Sequence, residues 1–111
     1  MTIENAEVID GAGVDKKTAE VILTISDHLP WEDGEAHLRL LEKKIGRYLD
    51  FIRNGQVRKQ FPQAEGSPIR IDVICKYYPP TQLGARFLAA AKQQLLSERI
   101  AFSYGPLPPG Y

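Results

Sequence analysis

Residues 33–53 have the sequence DGEAHLRLLEKKIGRYLDFIR, and the spacing of their apolar side chains decides the fold class. Apolar residues recur every three or four positions, which places them on one stripe of an α-helix. Asp33 is predicted to cap this helix, because its carboxylate can accept hydrogen bonds from the free amides of the first turn, and Asn54-Gly55 favours a left-handed stop. The segment therefore predicts a long amphipathic helix with a buried stripe of Leu38, Leu41, Ile45, Tyr48, Leu49 and Ile52.

Strand patterns lie on both sides of this helix. Residues 8–14 and 19–26 predict a β-hairpin, because β-branched residues alternate with polar ones along much of their length. Residues 69–78 predict a third strand with alternate side chains facing the core, and residues 100–104 predict a fourth. A second helix is predicted from Thr81, its cap, to about Glu98. The chain order is therefore β-β-α-β-α-β.

This order predicts an α+β fold in the form of a two-layer sandwich. Right-handed crossovers place both helices on one face of a four-stranded mixed sheet. The second, third and fourth strands are then parallel, and the hairpin supplies the one antiparallel pair. A chain of 111 residues buries enough surface for one core. We expect a single domain over residues 1–111, with terminal extensions at 1–6 and 105–111.

Charge and cysteine content narrow the classes of function. Fourteen basic and fourteen acidic side chains cancel, so no net field attracts phosphate backbones, and a nucleic-acid partner is not expected. The single cysteine, Cys75, cannot form an internal disulfide, which favours a reducing cytoplasmic location. The polar N-terminus lacks the pattern of a secretory signal, and no run of about 18 apolar residues occurs. We therefore expect no membrane partner.

The most polar cluster, residues 27–33, follows the second strand and contains Asp27 and His28. His37 lies one helical turn after the end of this cluster and nine residues after His28. Imidazole exchanges protons near neutrality, so these three residues could form the centre of a small hydrolase or of a metal-binding enzyme. The spacing is not that of a metal motif, in which two ligands stand one turn apart on a helix. The simpler interpretation is that Asp27 and His28 bond the turn backbone. No catalytic residue, metal ligand or cofactor is assigned on this pattern.

Two features of the sequence favour a protein-binding function over an enzymatic one. Trp31 is the only tryptophan, and a large aromatic residue beside charged groups is typical of interaction hot spots. Strand alternation also places Ile22, Ile74 and Tyr78 on the face of the sheet away from the helices. An apolar strip on that helix-free face would be covered by a partner protein or by a second copy in a homodimer. The predicted binding residues are therefore Asp27, His28, Trp31, Ile22, Ile74 and Tyr78.

Several motifs resemble a family of short bacterial proteins classed as a domain of unknown function. They are Val8-Ile9-Asp10 (VID), the run from Leu23 to Leu29 with Trp31 (LTISDHL-x-W), and the run from His37 to Leu41 (HL-x-LL). The likeness spans most of the chain. The resemblance implies a bacterial protein and supplies no catalytic residue. The resulting hypothesis is a non-catalytic protein-interaction or regulatory module of the bacterial cytosol, with the enzyme centred on Asp27, His28 and His37 as the alternative.

Overall fold

The computed structural model describes residues 9–32, 34–62 and 66–106. Four strands and three helices follow one another along the chain: β1 (Gly11–Val14), β2 (Val21–Asp27), α1 (Gly34–Arg53), α2 (Gln56–Gln60), β3 (Ile69–Cys75), α3 (Gln82–Leu96) and β4 (Ile100–Pro106). The short α2 follows α1 directly after Gly55, whose backbone is left-handed as expected for the stop at Asn54-Gly55. The predicted strand start at Val8, the helix cap at Asp33 and the extension at 1–6 lie outside the described residues.

The strands form one sheet in the order β1-β2-β3-β4. β1 pairs antiparallel with β2, whereas β2, β3 and β4 are mutually parallel. The predicted mixed four-stranded sheet and the α+β fold are thereby confirmed. In the register of the parallel strands, Val21 lies beside Ile69 and Ile69 beside Ile100, so the three strands begin at the same level.

The hydrophobic core lies between one face of the sheet and the two long helices. Along β2 every second residue is buried, as expected for a strand with one covered face. Leu41 and Tyr48 of α1 and Leu88 of α3 are completely buried in the same cluster. The core side chains of the sheet are Val21, Leu23, Ile25, Ile71, Val73, Cys75, Ile100 and Phe102.

The buried stripe of α1 contains two polar residues that its apolar pattern does not predict. His37 is 2% exposed and Lys44 is 0% exposed, while Leu38, predicted for the stripe, is only partly buried. Both polar side chains are paired with aspartates outside the helix. The helix therefore contacts the sheet through polar links as well as through apolar packing.

β3 is shorter and β4 is longer than predicted. β3 ends at Cys75 because its neighbours end at the same level: Cys75 lies beside Asp27, the last residue of β2, and beside Pro106, the last residue of β4. Tyr78 therefore lies in the loop beyond the strand and not on the helix-free face, which corrects its predicted position. β4 includes residues 105 and 106, and the rest of the predicted C-terminal extension, 107–111, lies outside the described residues.

The helix-free face does not carry a continuous apolar strip. Ile22 lies in the row of Arg70, and Ile74 lies in the row of Ser26. Between these rows runs a polar row of Thr24, Asp72 and Ser103, in which the Ser103 hydroxyl donates to the Asp72 carboxylate at 3.1 Å. The two isoleucines are partly buried and are separated by this polar row.

None of the helices in the described ranges has the length and apolar content needed to cross a bilayer.

Candidate functional site

The polar cluster singled out in the sequence lies at the end of the sheet where β2 and β3 stop. It contains Asp27, His28 and Trp31, with His37 following in α1. Two loops meet there, residues 28–32 after β2 and residues 76–81 after β3. The Lys76 N–H donates to the Asp27 carbonyl at 2.8 Å and extends the strand pairing by one bond. Carboxyl ends of parallel strands are a common location for functional loops.

Asp27 and His37 form a buried pair beneath these loops. Nε2 of His37 lies 2.5 Å from Oδ2 of Asp27, and both side chains are at most 2% exposed. The other carboxylate oxygen accepts from the Leu29 N–H at 3.2 Å, as expected for a strand-end aspartate that bonds the turn backbone. Nδ1 of His37 lies 3.2 Å from the Pro30 carbonyl oxygen. The pair therefore joins the end of β2 to the first turns of α1.

The hydrogen-bond partners determine how many protons the pair holds. A carbonyl oxygen can only accept, so the contact with Pro30 requires a proton on Nδ1 of His37. The short Nε2–Oδ2 contact then holds one further proton, either on the imidazolium or on the carboxylic acid of Asp27. In both arrangements the pair has no net charge, which lowers the cost of burying it.

Burial raises the pKa of the Asp27 carboxyl group above its ordinary value of 3.8, because desolvation disfavours the carboxylate. The hydrogen bond and the charge of His37 act in the opposite direction, followed by the Leu29 amide and the charge of His28. The desolvation outweighs these partners. The carboxyl group of Asp27 therefore binds its proton more tightly in the folded chain than in the unfolded one.

Trp31 covers the pair. Its ring stacks on the His37 ring with the centroids 3.8 Å apart and an interplanar angle of 20°. The indole Nε1–H donates to the Tyr77 carbonyl at 2.9 Å, so Trp31 also ties the two loops together. A Cβ on Gly84, in the first turn of α3, would lie 2.7 Å from Cζ3 of Trp31. The indole is thus held between α1, α3 and the loop after β3.

Three exposed apolar side chains belong to residues at or next to the backbone groups that Trp31 contacts. Tyr77 and Tyr78 are each 45% exposed, and Leu83, next to Gly84, is 53% exposed. We call these three residues, together with Trp31, the tyrosine surface. Lys76 lies at its border, with its ammonium group 5.6 Å from the centre of the Tyr77 ring.

A second buried polar cluster links α1 to the segment that precedes β1. Nζ of Lys44 lies 2.9 Å from Oδ1 of Asp10, and Oδ2 of Asp10 accepts from the Ser26 N–H at 2.9 Å. The Asp10 N–H donates to the Tyr48 hydroxyl at 2.8 Å, and that hydroxyl donates to the Thr24 carbonyl. Burial raises the pKa of Tyr48 far above its ordinary value. These side chains are closed to solvent and hold the first strand in place.

The geometry limits the chemistry of the predicted enzyme centre. Both ring nitrogens of His37 are engaged by Asp27 and by the Pro30 carbonyl, which leaves no ring lone pair directed at solvent. His28 is half-buried beside the pair and acts on Asp27 through its charge. Among the described residues, no group of three His, Cys, Asp or Glu side chains is placed to hold a metal ion. The Asp27–His37 pair connects the end of β2 to α1 beneath the Trp31 ring.

The structure brings Asp27, His28 and Trp31 together at this edge, with Tyr78 in the adjoining loop. Ile22 and Ile74 lie on the other, helix-free face of the sheet, Ile74 beside Ser26 near the same end and Ile22 near the opposite end. Sequence reasoning missed the roles of Tyr77 and Gly84, and it missed the Asp10–Lys44 pair. The predicted helix begins just after Pro79-Pro80 and has a glycine in its first turn. That glycine could have indicated a close contact at Gly84. No local sequence pattern indicates the Asp10–Lys44 ion pair, because the two residues are far apart in the sequence.

Comparison with known proteins agrees with the resemblance of the motifs. Neither the curated proteins nor the solved structures include a match to this chain. A family model described as a family of unknown function, DUF6572, matches residues 1–107. The match extends over both loops of the candidate site and all four strands, and the chain therefore belongs to the DUF6572 family.

Proposed function

We propose that this chain is a non-catalytic protein-interaction module that binds a partner protein through the tyrosine surface. The observation that carries the proposal is a cluster of exposed side chains. Five large apolar side chains are exposed in the described part of the chain, and three of them are Tyr77, Tyr78 and Leu83. Aromatic residues that remain half exposed beside a fixed tryptophan are typical of binding hot spots.

The support beneath the surface favours binding for an energetic reason. The Tyr77 carbonyl is bonded to the Trp31 indole, and the Thr81 side chain caps α3 through the Gly84 N–H at 3.1 Å. The loop that presents the tyrosines is therefore fixed at both ends before a partner arrives. A preorganised loop loses less conformational entropy on association, so more of the contact energy appears as affinity.

The remaining predicted binding residues have different roles in this proposal. Asp27 supports the loop after β2 through its bond with the Leu29 N–H, and His28 is the first residue of that loop. Ile74 lies on the helix-free face near the same end of the sheet. Ile22 is the most distant member. We place the module in the reducing cytosol of bacteria, in a regulatory role. The location rests on the single cysteine, whose thiol is buried in the core, and on the motif resemblance.

The experiment is site-specific photo-crosslinking in the native cells. A photoreactive phenylalanine analogue replaces Tyr77 in one variant, Tyr78 in a second and Val14 in a third. Val14 is a matched control, because it is an exposed apolar side chain at the far end of β1. We expect the Tyr77 and Tyr78 variants to form the same adduct with one protein of different mass, and the Val14 variant to form none.

A Tyr77→Ala/Tyr78→Ala double variant completes the test. Its melting temperature is expected to stay near that of the wild type, because both side chains are about half exposed and the Tyr77 carbonyl is retained. Loss of the cross-linked partner from co-purification with this folded variant supports the proposal. Equal adducts at Val14, or full retention of the partner by the double variant, would refute it.

A further inference from the structure

β4 forms one edge of the sheet in the described part of the chain, with β3 as its neighbour. Its seven residues, IAFSYGP, include no charged side chain. Soluble proteins usually protect an edge strand by shortness, charges, prolines or bulges, because its unpaired backbone groups recruit another strand. The opposite edge, β1, is four residues long. β4 has a proline only at its last position, so most of its edge lacks such protection.

The sequence of β4 is complementary to itself when two copies run antiparallel around Ser103. A twofold axis perpendicular to the sheet at Ser103 keeps the helices of both copies on the same side. Phe102 then lies opposite Tyr104 of the second copy, on the core side, where these two rings are already 6.1 Å apart within one chain. Ala101 lies opposite Gly105 on the helix-free face. Aromatic residues thus lie opposite aromatic residues, small residues lie opposite small residues, and no two like charges meet along the paired strands.

The helix above the edge, α3, also exposes apolar side chains on its side away from α1, with Lys92 among them. Phe87 and Gln94 line the groove between α3 and α1. Helical periodicity therefore places Ala89 and Leu96 on the opposite side of α3, away from α1. Leu96 is 60% exposed, the highest value among the exposed large apolar side chains. Because α3 packs against β4, this side of the helix lies beside the free edge.

We infer that the protein forms a homodimer in which the outer edges of two β4 strands pair antiparallel and join the two sheets into one. The pairing satisfies backbone groups that face solvent in a single chain, and it brings the two α3 helices side by side with Ala89 and Leu96 between them. This interface uses no residue of the tyrosine surface, so the homodimer and the proposed function can be tested separately.

The first test compares Ser103→Lys with Thr24→Lys by sedimentation equilibrium over an about hundredfold range of concentration. Both positions lie beside Asp72 on the helix-free face, so a lysine has a carboxylate neighbour in either variant. Only position 103 lies on the edge. We expect the wild type and Thr24→Lys to approach twice the chain mass of 12.5 kDa. We expect Ser103→Lys to stay monomeric, because two lysines then meet at the twofold axis.

The second test does not depend on the stability of a lysine variant. In antiparallel pairs the opposed Cα atoms are about 4.5 or about 5.5 Å apart, which suits a disulfide. Mild oxidation is therefore expected to link two chains of Ser103→Cys covalently and to leave the chains of Thr24→Cys unlinked on a non-reducing denaturing gel, while the buried Cys75 takes no part. A wild type that is monomeric at every concentration would overturn the inference. Loss of the dimer in Thr24→Lys as well would place the interface on the helix-free face and also overturn it.

Discussion

The indole of Trp31 lies so close to the backbone of Gly84 that a Cβ there would be 2.7 Å from Cζ3 and 3.0 Å from Cε3. The same Cβ would be 3.1 Å from Cβ of Pro80. The position of the loop after β2 therefore depends on the lack of a side chain in the first turn of α3. This contact links the buried Asp27–His37 pair, on which Trp31 rests, to the loop that carries the tyrosines.

Gly84→Ala is expected to destabilise the protein by about 1–3 kcal/mol, the usual cost of overpacking. The sign of this change tests the contact, because helix propensity alone would make Gly84→Ala stabilising by about 1 kcal/mol. Urea unfolding measures the free energy, and the emission of the single tryptophan reports its displacement. A Trp31→Leu background removes the clash, so the penalty for Gly84→Ala should largely disappear there; an undiminished penalty would contradict the contact.

Asp27→Asn is expected to change the free energy of unfolding by less than about 1 kcal/mol near neutral pH. An asparagine amide can donate to Nε2 of a neutral His37, and its oxygen can still accept from the Leu29 N–H. Asp27→Ala leaves a buried ring nitrogen without its partner and is expected to cost about 1–3 kcal/mol. Urea unfolding of both variants measures these changes in free energy. Equal losses in the two variants would show that the hydrogen bonds of the Asp27 side chain do not contribute to stability.

The stability difference between the wild type and Asp27→Asn is expected to depend on pH. Because burial raises the pKa of Asp27 from 3.8, the folded chain binds this proton more tightly than the unfolded chain. The resulting stabilisation is fully present below pH 3.8 and is lost as the pH rises through the higher folded value. Asparagine has no such proton. The wild type should therefore lose stability relative to Asp27→Asn as the pH rises above 3.8, and a constant difference would contradict the raised pKa.

Lys44→Met is expected to cost about 3–5 kcal/mol, because it leaves the Asp10 carboxylate buried without its cation. The double variant Asp10→Asn/Lys44→Met should be more stable than Lys44→Met alone, since asparagine is uncharged and can still accept from the Ser26 N–H. A thermodynamic cycle of wild type, single variants and double variant measures the coupling. Additive effects would show that the two side chains do not interact.

Cys75 is expected to resist alkylation in the folded protein. Its side chain is buried, and burial raises the pKa of the thiol to about 12, with the charges of Asp27 and Asp72 acting in the same direction. The thiolate is the reactive form, so labelling must await unfolding. Iodoacetamide labelling followed by mass spectrometry should show slow modification that accelerates in urea. Rapid labelling in native buffer would contradict this.

Local periodicity was sufficient to predict the sheet and the two long helices. The alternation of Val21, Leu23 and Ile25, and the spacing of Leu41, Ile45 and Tyr48, each identify one buried face. The burial of Lys44 could not be predicted, because a lysine within a stripe is usually solvated and its partner Asp10 is remote in sequence. The end of β3 could not be placed either. Tyr78 continues the alternation of the strand, but the strand stops where its neighbours stop.

The antiparallel direction of β1 has a practical consequence for labelling. β1 runs from its pairing with Thr24 to its pairing with Val21, opposite in direction to β4, which stops at Pro106 at the end of the sheet where β2 and β3 also stop. That end also carries the tyrosine surface. A label attached at Pro106 would therefore stand at the same end of the sheet as the surface whose partner is sought. The hairpin turn at Lys16–Thr18, which is exposed at the opposite end of the sheet, is the better insertion point for a bait or a fluorophore.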